Sequence, residues 1–172
     1  MNNTENHIYV IFGASGDLTK RKLVPALYAL FVQKMLPEKF VLLGASRSDL
    51  SDNDFRDRMK EAIIKFKEID DESQIDQFVK KIFYTSISFD DEIHYKKLLD
   101  RIKSLREEFE INGNTIFYLS TPPSVYGVIP QKLTSVGLNI QDDGWKRLII
   151  EKPFGYDLES AIKLKDQLLK DW

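Results

Sequence analysis

The apolar residues of this chain come in short unbroken runs, and that restricts its fold more than any other feature. Ile8-Tyr9-Val10-Ile11-Phe12, Phe40-Val41-Leu42-Leu43-Gly44-Ala45, Ile82-Phe83-Tyr84-Thr85, Thr115-Ile116-Phe117-Tyr118-Leu119 and Leu148-Ile149-Ile150 are rich in β-branched and aromatic types. A continuous apolar run fits a strand buried on both faces, as in a parallel sheet with helices above and below it. Between the runs the spacing changes. Leu23, Ala26, Leu27, Leu30 and Phe31 mark one helical face, as do Phe55, Met59, Ala62, Ile63 and Phe66, and then Leu98, Ile102, Leu105 and Phe109. Pro25 requires the first of these helices to start late or to bend. Asp70 to Lys81 reads as a short helix or irregular chain. Asp157 to Leu169 reads as a last helix with Asp157 as its N-cap, and Gly137 to Lys146 as the loop-rich stretch before the fifth strand. Strand alternating with helix predicts an α/β fold: a doubly wound parallel sheet in three layers, in one domain over residues 1–172.

Composition narrows the function. With 25 basic against 27 acidic residues the net charge is -2, so the basic excess of a general nucleic-acid binder is missing. The absence of cysteine excludes thiol catalysis, disulfides and Cys-ligated metals. His7, in the amino-terminal tail, and His94, in a charged helix, are far apart, which makes a His-rich metal site improbable. No run reaches the roughly 18 apolar residues of a membrane span, and Met1 to His7 lacks the basic and apolar regions of a signal peptide. A cytoplasmic location is the expectation.

The first strand runs straight into Gly13-Ala14-Ser15-Gly16-Asp17-Leu18, with a helix to follow. This is the place where a Rossmann fold receives the pyrophosphate of a dinucleotide: glycine lets the backbone approach, and the helix N-terminus offers free N–H groups and partial positive charge. The spacing is G-x-x-G rather than G-x-G-x-x-G, and no Walker lysine follows. Two glycines here also suit a plain tight turn. Asp17 reads better as a helix N-cap than as a catalytic acid, and at least two of Lys20, Arg21 and Lys22 belong to a solvated helix face. The second strand ends Gly44-Ala45-Ser46-Arg47-Ser48, without the carboxylate that NAD-binding domains carry for the ribose hydroxyls. A guanidinium there can hold a 2′-phosphate bidentately, which points to NADP, although a lone arginine is also common on a surface. At the fourth strand's end, Ser120-Thr121-Pro122-Pro123 gives a stiff platform. At the fifth, Glu151-Lys152-Pro153-Phe154-Gly155 places a charged pair on the sheet rim, where Lys152 could meet an anionic substrate or form a simple pair with Glu151. The Lys152-Pro153 peptide is open to either isomer.

These segments, in this order, resemble glucose-6-phosphate dehydrogenase. The resemblance rests on the run from Ile11 to Leu27 (IFGASGDLTKRKLVPAL), on Gly44-Ala45-Ser46-Arg47, on Phe117 to Pro123 (FYLSTPP), and on Glu151 to Gly155 (EKPFG). It implies oxidation of glucose 6-phosphate at C1 to the lactone, with hydride passed to NADP⁺. It further implies that Gly13, Ala14, Ser15, Gly16, Asp17 and Leu18 hold the pyrophosphate and that Arg47 holds the 2′-phosphate. Ser88 and Phe89 would approach the adenine, Pro122 and Tyr126 would line the nicotinamide half, and Lys152 would touch both coenzyme and sugar phosphate. In the family an Arg-Ile-Asp-His-Tyr-Leu-Gly-Lys stretch and a later general-base histidine follow. Both are expected beyond Trp172, with a β+α domain that carries the substrate site and the homo-oligomer interface, so the 172 residues alone are expected to bind NADP without turnover. An exposed apolar face is expected where that domain docks. The rival readings are a sugar oxidoreductase of the glucose–fructose oxidoreductase type, whose turn is usually G-x-G-x-x-G, and a non-catalytic nucleotide-binding module.

Overall fold

A computed structural model describes residues 4–67 and 73–172. Among them, five strands form one sheet in the order β3-β2-β1-β4-β5: β1 (His7–Phe12), β2 (Phe40–Ser46), β3 (Ile82–Ser86), β4 (Thr115–Leu119) and β5 (Lys146–Ile150). Every pairing is parallel, and β1 at the centre pairs with β2 on one side and β4 on the other.

Continuous apolar strands need cover on both faces, and the helices supply it. Ile8, Val10 and Phe12 of β1, with Val41 and Leu43 of β2, point to the face packed by α4 (Glu92–Phe109) and α5 (Val128–Ser135). Ile11, Phe40 and Leu42 point the other way, onto α1 (Val24–Val32), α2 (Asp52–Lys67) and α3 (Ser73–Val79). Each fully buried side chain of this size contributes about 1.5–3 kcal/mol relative to exposure. The first three helices cover one face and the next two the other, so the chain changes sides between β3 and β4. The strand order therefore reverses between β1 and β4: the connection that leaves β1 runs toward β2, and the one that leaves β4 runs the opposite way, toward β5.

Local chemistry explains where the elements begin. The first helix begins at Asp17, widens into a π-helical stretch at Thr19–Leu23 and returns to α-helix at Val24 as α1, so Pro25, which has no N–H to give, directly follows the turn where the hydrogen-bond ladder is already shifted. Ser51 and Asp54 form a reciprocal cap before α2, each side chain bonding the other's backbone N–H. The last helix, α6 (Leu158–Leu168), has Asp157 as its N-cap, with Ser160 completing the box. Of the stretch from Asp70 to Lys81, α3 occupies the middle and residues 70–72 lie outside the described residues.

Three expectations are corrected, and one further helix had none. Asp17 is not a cap: it is the first helical residue, directly after Gly16, and its exposed carboxylate faces Arg21 at 3.4 Å. β5 starts at Lys146 rather than Leu148, because the Lys146 ammonium is buried against Asp143 at 2.7 Å. α5 forms in a stretch with no obvious helical signal, its Pro130 tolerated in the first turn and its Ile129 and Leu133 buried four residues apart. His7 belongs to β1 rather than to a tail, with 4% exposure and its ring edge-on to Phe40 at 5.5 Å.

His7 also gives the fold a pH dependence. Burial is the main cause holding its pKa below the ordinary 6.5, although its Nδ1–H bond to the Glu5 carbonyl at 2.8 Å works the other way. The unfolded chain takes up this proton near 6.5 and the folded chain only below it, so the contribution is complete above that value and is lost as pH falls through it. His7→Phe keeps the ring packing and removes the proton. Urea midpoints measured between about pH 7 and about pH 5 should fall less steeply for the variant than for the parent; parallel slopes would contradict this assignment.

Candidate functional site

At the carboxyl end of β1 three strands are tied together. The Gly13 N–H donates to the Ala45 carbonyl of β2 at 2.8 Å, and the Ser120 N–H just past β4 donates to the Phe12 carbonyl at 2.9 Å. Gly13 has φ +80, and a Cβ there would stand 2.1 Å from the Ser120 carbonyl oxygen, so only glycine fits both the torsion and the approach. The Gly16 N–H closes the turn on the Gly13 carbonyl at 2.9 Å, and the helix starts at once. The first-turn N–H groups have no intrahelical acceptors, and the helix end carries partial positive charge.

A cleft of about 490 Å³ opens at this point, within the size range of small-molecule sites. The glycine turn gives it Gly13, Ser15 and Gly16, the end of β2 gives Ser46, Arg47 and Ser48, the loop after β3 gives Phe89, and the end of β4 gives Ser120, Thr121 and Pro122. Arg47 is the charged side chain of the lining, and it has no ion-pair partner among the described residues. Thr121 Oγ1 is buried without a hydrogen-bond partner, an atom that a ligand in the cleft would satisfy. A free guanidinium, an open glycine turn, a helix N-terminus and an orphaned hydroxyl on one wall fit a phosphate-bearing dinucleotide. A larger groove of about 1150 Å³ lies at the amino edge, between residues 4–6 and 33–38, but no glycine turn or helix N-terminus faces it.

The predicted residues divide. Gly13, Ser15, Gly16, Arg47, Phe89 and Pro122 meet in the cleft. Ala14 contributes its backbone to the turn, while its methyl is buried in the core against the position of Gly44. Asp17 and Leu18 lie outside the lining, Asp17 paired with Arg21. Ser88 is beside Phe89, its hydroxyl donating to Asp90 at 2.6 Å. Tyr126 is 2% exposed and packs in the core rather than on the cleft wall, which differs from the expectation. Lys152 is exposed on the segment after β5 and does not line this cleft; its peptide to Pro153 is cis. The neighbouring Glu151 accepts a hydrogen bond from the Tyr118 phenol, and burial followed by this carboxylate raises the Tyr118 pKa. Five contributors were missed. Ser46, Ser48, Ser120 and Thr121 line the cleft although only their motifs were noted. His94, read as a bland helix residue, accepts the Ser88 N–H on Nδ1 at 2.9 Å and so holds the loop that presents Phe89. With Nδ1 accepting, its 3.8 Å approach to Asp91 is not an ion pair.

Residues 10–172 match the description "Glucose-6-phosphate dehydrogenase, NAD binding domain". The chain belongs to the glucose-6-phosphate dehydrogenase family. It is 49% identical over 164 residues to the glucose-6-phosphate 1-dehydrogenase of Aggregatibacter actinomycetemcomitans, which covers 95% of this chain and 33% of that protein. The corresponding enzyme of Treponema pallidum is 43% identical, covering 94% of this chain and 32% of the relative. A solved glucose-6-phosphate dehydrogenase, in complex with its substrate glucose-6-phosphate, superposes with a TM-score of 0.88 at 32% identity, covering 100% of this chain and 35% of that one. The chain thus spans about a third of the length of the curated relatives it matches, and it is the family's nicotinamide-dinucleotide-binding domain, of Rossmann type. Among the described residues no helix is long and apolar enough to cross a membrane.

The two glycines of the turn should differ in what they protect. Gly13→Ala forces a left-handed alanine against a carbonyl and should cost at least about 2 kcal/mol. Gly16→Ala meets only the Gly13 carbonyl, at 3.0 Å and without a positive φ, and should stay within about 1 kcal/mol of the parent. Urea unfolding of both variants checks this; equal losses would contradict the geometry.

Proposed function

We propose that this chain binds NADP in the cleft at the carboxyl end of β1, as the coenzyme domain of an enzyme that oxidises glucose 6-phosphate at C1 to the lactone. The observation that carries the choice of NADP is Arg47: an unpaired guanidinium directly after β2, in the place where an NAD site has a carboxylate, on the wall of the same cleft as the glycine turn. The backbones of Gly13, Ala14, Ser15 and Gly16, with the first helical residues Asp17 and Leu18, would hold the pyrophosphate through N–H groups and the helix dipole. Arg47 would grip the 2′-phosphate with two parallel bonds. Phe89 offers an apolar surface for the adenine, with Ser88 beside it, and Pro122 shapes the nicotinamide half. Tyr126, buried in the core, would not touch the coenzyme.

When bound, NADP⁺ supplies the acceptor for the substrate's hydride. The chain's own residues position the coenzyme and do not take the proton. Neither histidine of the chain lines the cleft: His7 lies at the amino end of β1, and His94 uses Nδ1 to hold the Ser88 backbone. A general base has to reach the sugar hydroxyl directly or through one water; the family resemblance would supply it as a histidine outside residues 1–172. Residues 1–172 would then form one coenzyme-binding domain, and Lys152, exposed past β5, would be available to a sugar phosphate shared with a further substrate domain. The exposed Tyr156, Leu158 and Leu169 lie on the same segment, where such a domain would bury them. The relatives' names support glucose 6-phosphate as that substrate. Homo-oligomerisation would also belong to the further domain, and a cytoplasmic enzyme fits the family.

Arg47→Ala should weaken NADP⁺ binding by about 1.5–3 kcal/mol, the scale of a lost charge-assisted contact, and leave NAD⁺ nearly unchanged. Calorimetric titration of parent and variant with each coenzyme tests this; equal losses for both would show that Arg47 does not read the 2′-phosphate.

A further inference from the structure

Arg47 has nothing to orient its side chain among the described residues, so the direction of its guanidinium is set by the backbone that carries it. That backbone is held from a distance by one side chain. The Tyr84 hydroxyl of β3 lies 2.7 Å from Ser46 Oγ and 2.7 Å from the Ser48 carbonyl, the residues on either side of Arg47. A phenol has one proton to give, and a carbonyl can only accept. The phenol therefore donates to Ser48, and the Ser46 hydroxyl donates to the phenol oxygen. The Ser46 carbonyl at 3.2 Å is at most a second, weaker acceptor.

Tyr84 is a fixed point for this clamp. Its N–H donates to Asp52 Oδ1 at 2.7 Å, Asp52 is itself paired with Arg101 at 2.6 Å, and its ring packs on Phe55 at 4.9 Å between centroids. It is 5% exposed, and burial raises its pKa, which keeps the hydroxyl protonated and able to donate. From the other side, Ser48 Oγ donates to Ser15 Oγ at 3.2 Å and links the clamped turn to the glycine turn.

We propose that Tyr84 is a positioning residue for coenzyme choice: by bridging Ser46 and Ser48 it fixes the turn that aims Arg47 into the cleft, without touching the coenzyme itself. This rests on the reading that Arg47 receives the 2′-phosphate. Loss of the bridge leaves the core packing of the ring intact and frees the turn, so binding that depends on the guanidinium suffers and binding that depends only on the glycine turn does not.

The test is a double-mutant cycle on the full chain, with NADP⁺ and NAD⁺ titrated calorimetrically against the parent, Tyr84→Phe, Arg47→Ala and the double variant. Tyr84→Phe should lower NADP⁺ affinity about five- to tenfold and NAD⁺ affinity less than about twofold, the scale of one or two lost hydrogen bonds. In the Arg47→Ala background the same change should leave the NADP⁺/NAD⁺ ratio where it is. A purely structural role would weaken both coenzymes equally, or lower the ratio as much without Arg47 as with it, and either result overturns the proposal. If Arg47→Ala collapses the ratio but Tyr84→Phe leaves it untouched, the positioning role fails and the Arg47 reading stands. If Arg47→Ala leaves the ratio unchanged, both fail. Should Tyr84→Phe not fold, Ser46→Ala removes one arm of the bridge and must lower the ratio in the same direction; an unchanged ratio there rejects the proposal.

Discussion

The approach of Gly13 to the Ser120 carbonyl is the contact on which the carboxyl edge of this sheet depends. Because β1 can end in a left-handed turn directly beneath the end of β4, the Phe12 and Ala45 carbonyls both find partners past the strands, and three strand ends close on one another. A side chain at Gly13 would push β4 outward and open the sheet at its centre. The same close packing leaves the turn's backbone open to the cleft, with a helix beginning four residues after Gly13. The fold and the binding cleft are thus two consequences of one steric fact.

The sheet was legible because each central strand is buried twice over. An alternating strand would have shown its inward face only, whereas Ile8 to Phe12 and Phe40 to Ala45 send side chains into two separate cores and so appear as unbroken runs. Where a polar residue is buried by pairing, the signal fails. Lys146 looks like a loop residue until Asp143 is seen to neutralise it, and β5 begins there. α5 is short, with only a few buried positions, and a proline in its first turn hides it further. Asp17 had the sequence position of a cap, yet the helix already begins at it, directly after Gly16.

The cleft was legible in its backbone-driven parts and in its one free charge. Glycines after a buried strand, and an arginine where a carboxylate is usual, have physical meanings that spacing alone conveys. Its supports were not. Tyr84 reads as a strand residue and His94 as a helix residue, because their partners are the backbone groups and hydroxyls of Ser46, Ser48 and Ser88, brought near by the fold. A polar tip that bonds to main chain leaves no complementary residue to find in the sequence. Tyr126 shows the converse: a residue placed at the site by resemblance lies in the core, one layer below the surface it was expected to line.

On the proposed reading the coenzyme occupies the cleft at the reversal of strand order rather than any other concavity among the described residues. The most direct test is an NMR titration of the labelled chain with NADP⁺, following backbone amides. Shifts should concentrate at Gly13, Ser15, Gly16, Arg47, Phe89, Ser120 and Thr121 and saturate together. Shifts centred on the amino-edge groove at residues 33–38 instead, with the glycine turn unmoved, would contradict it.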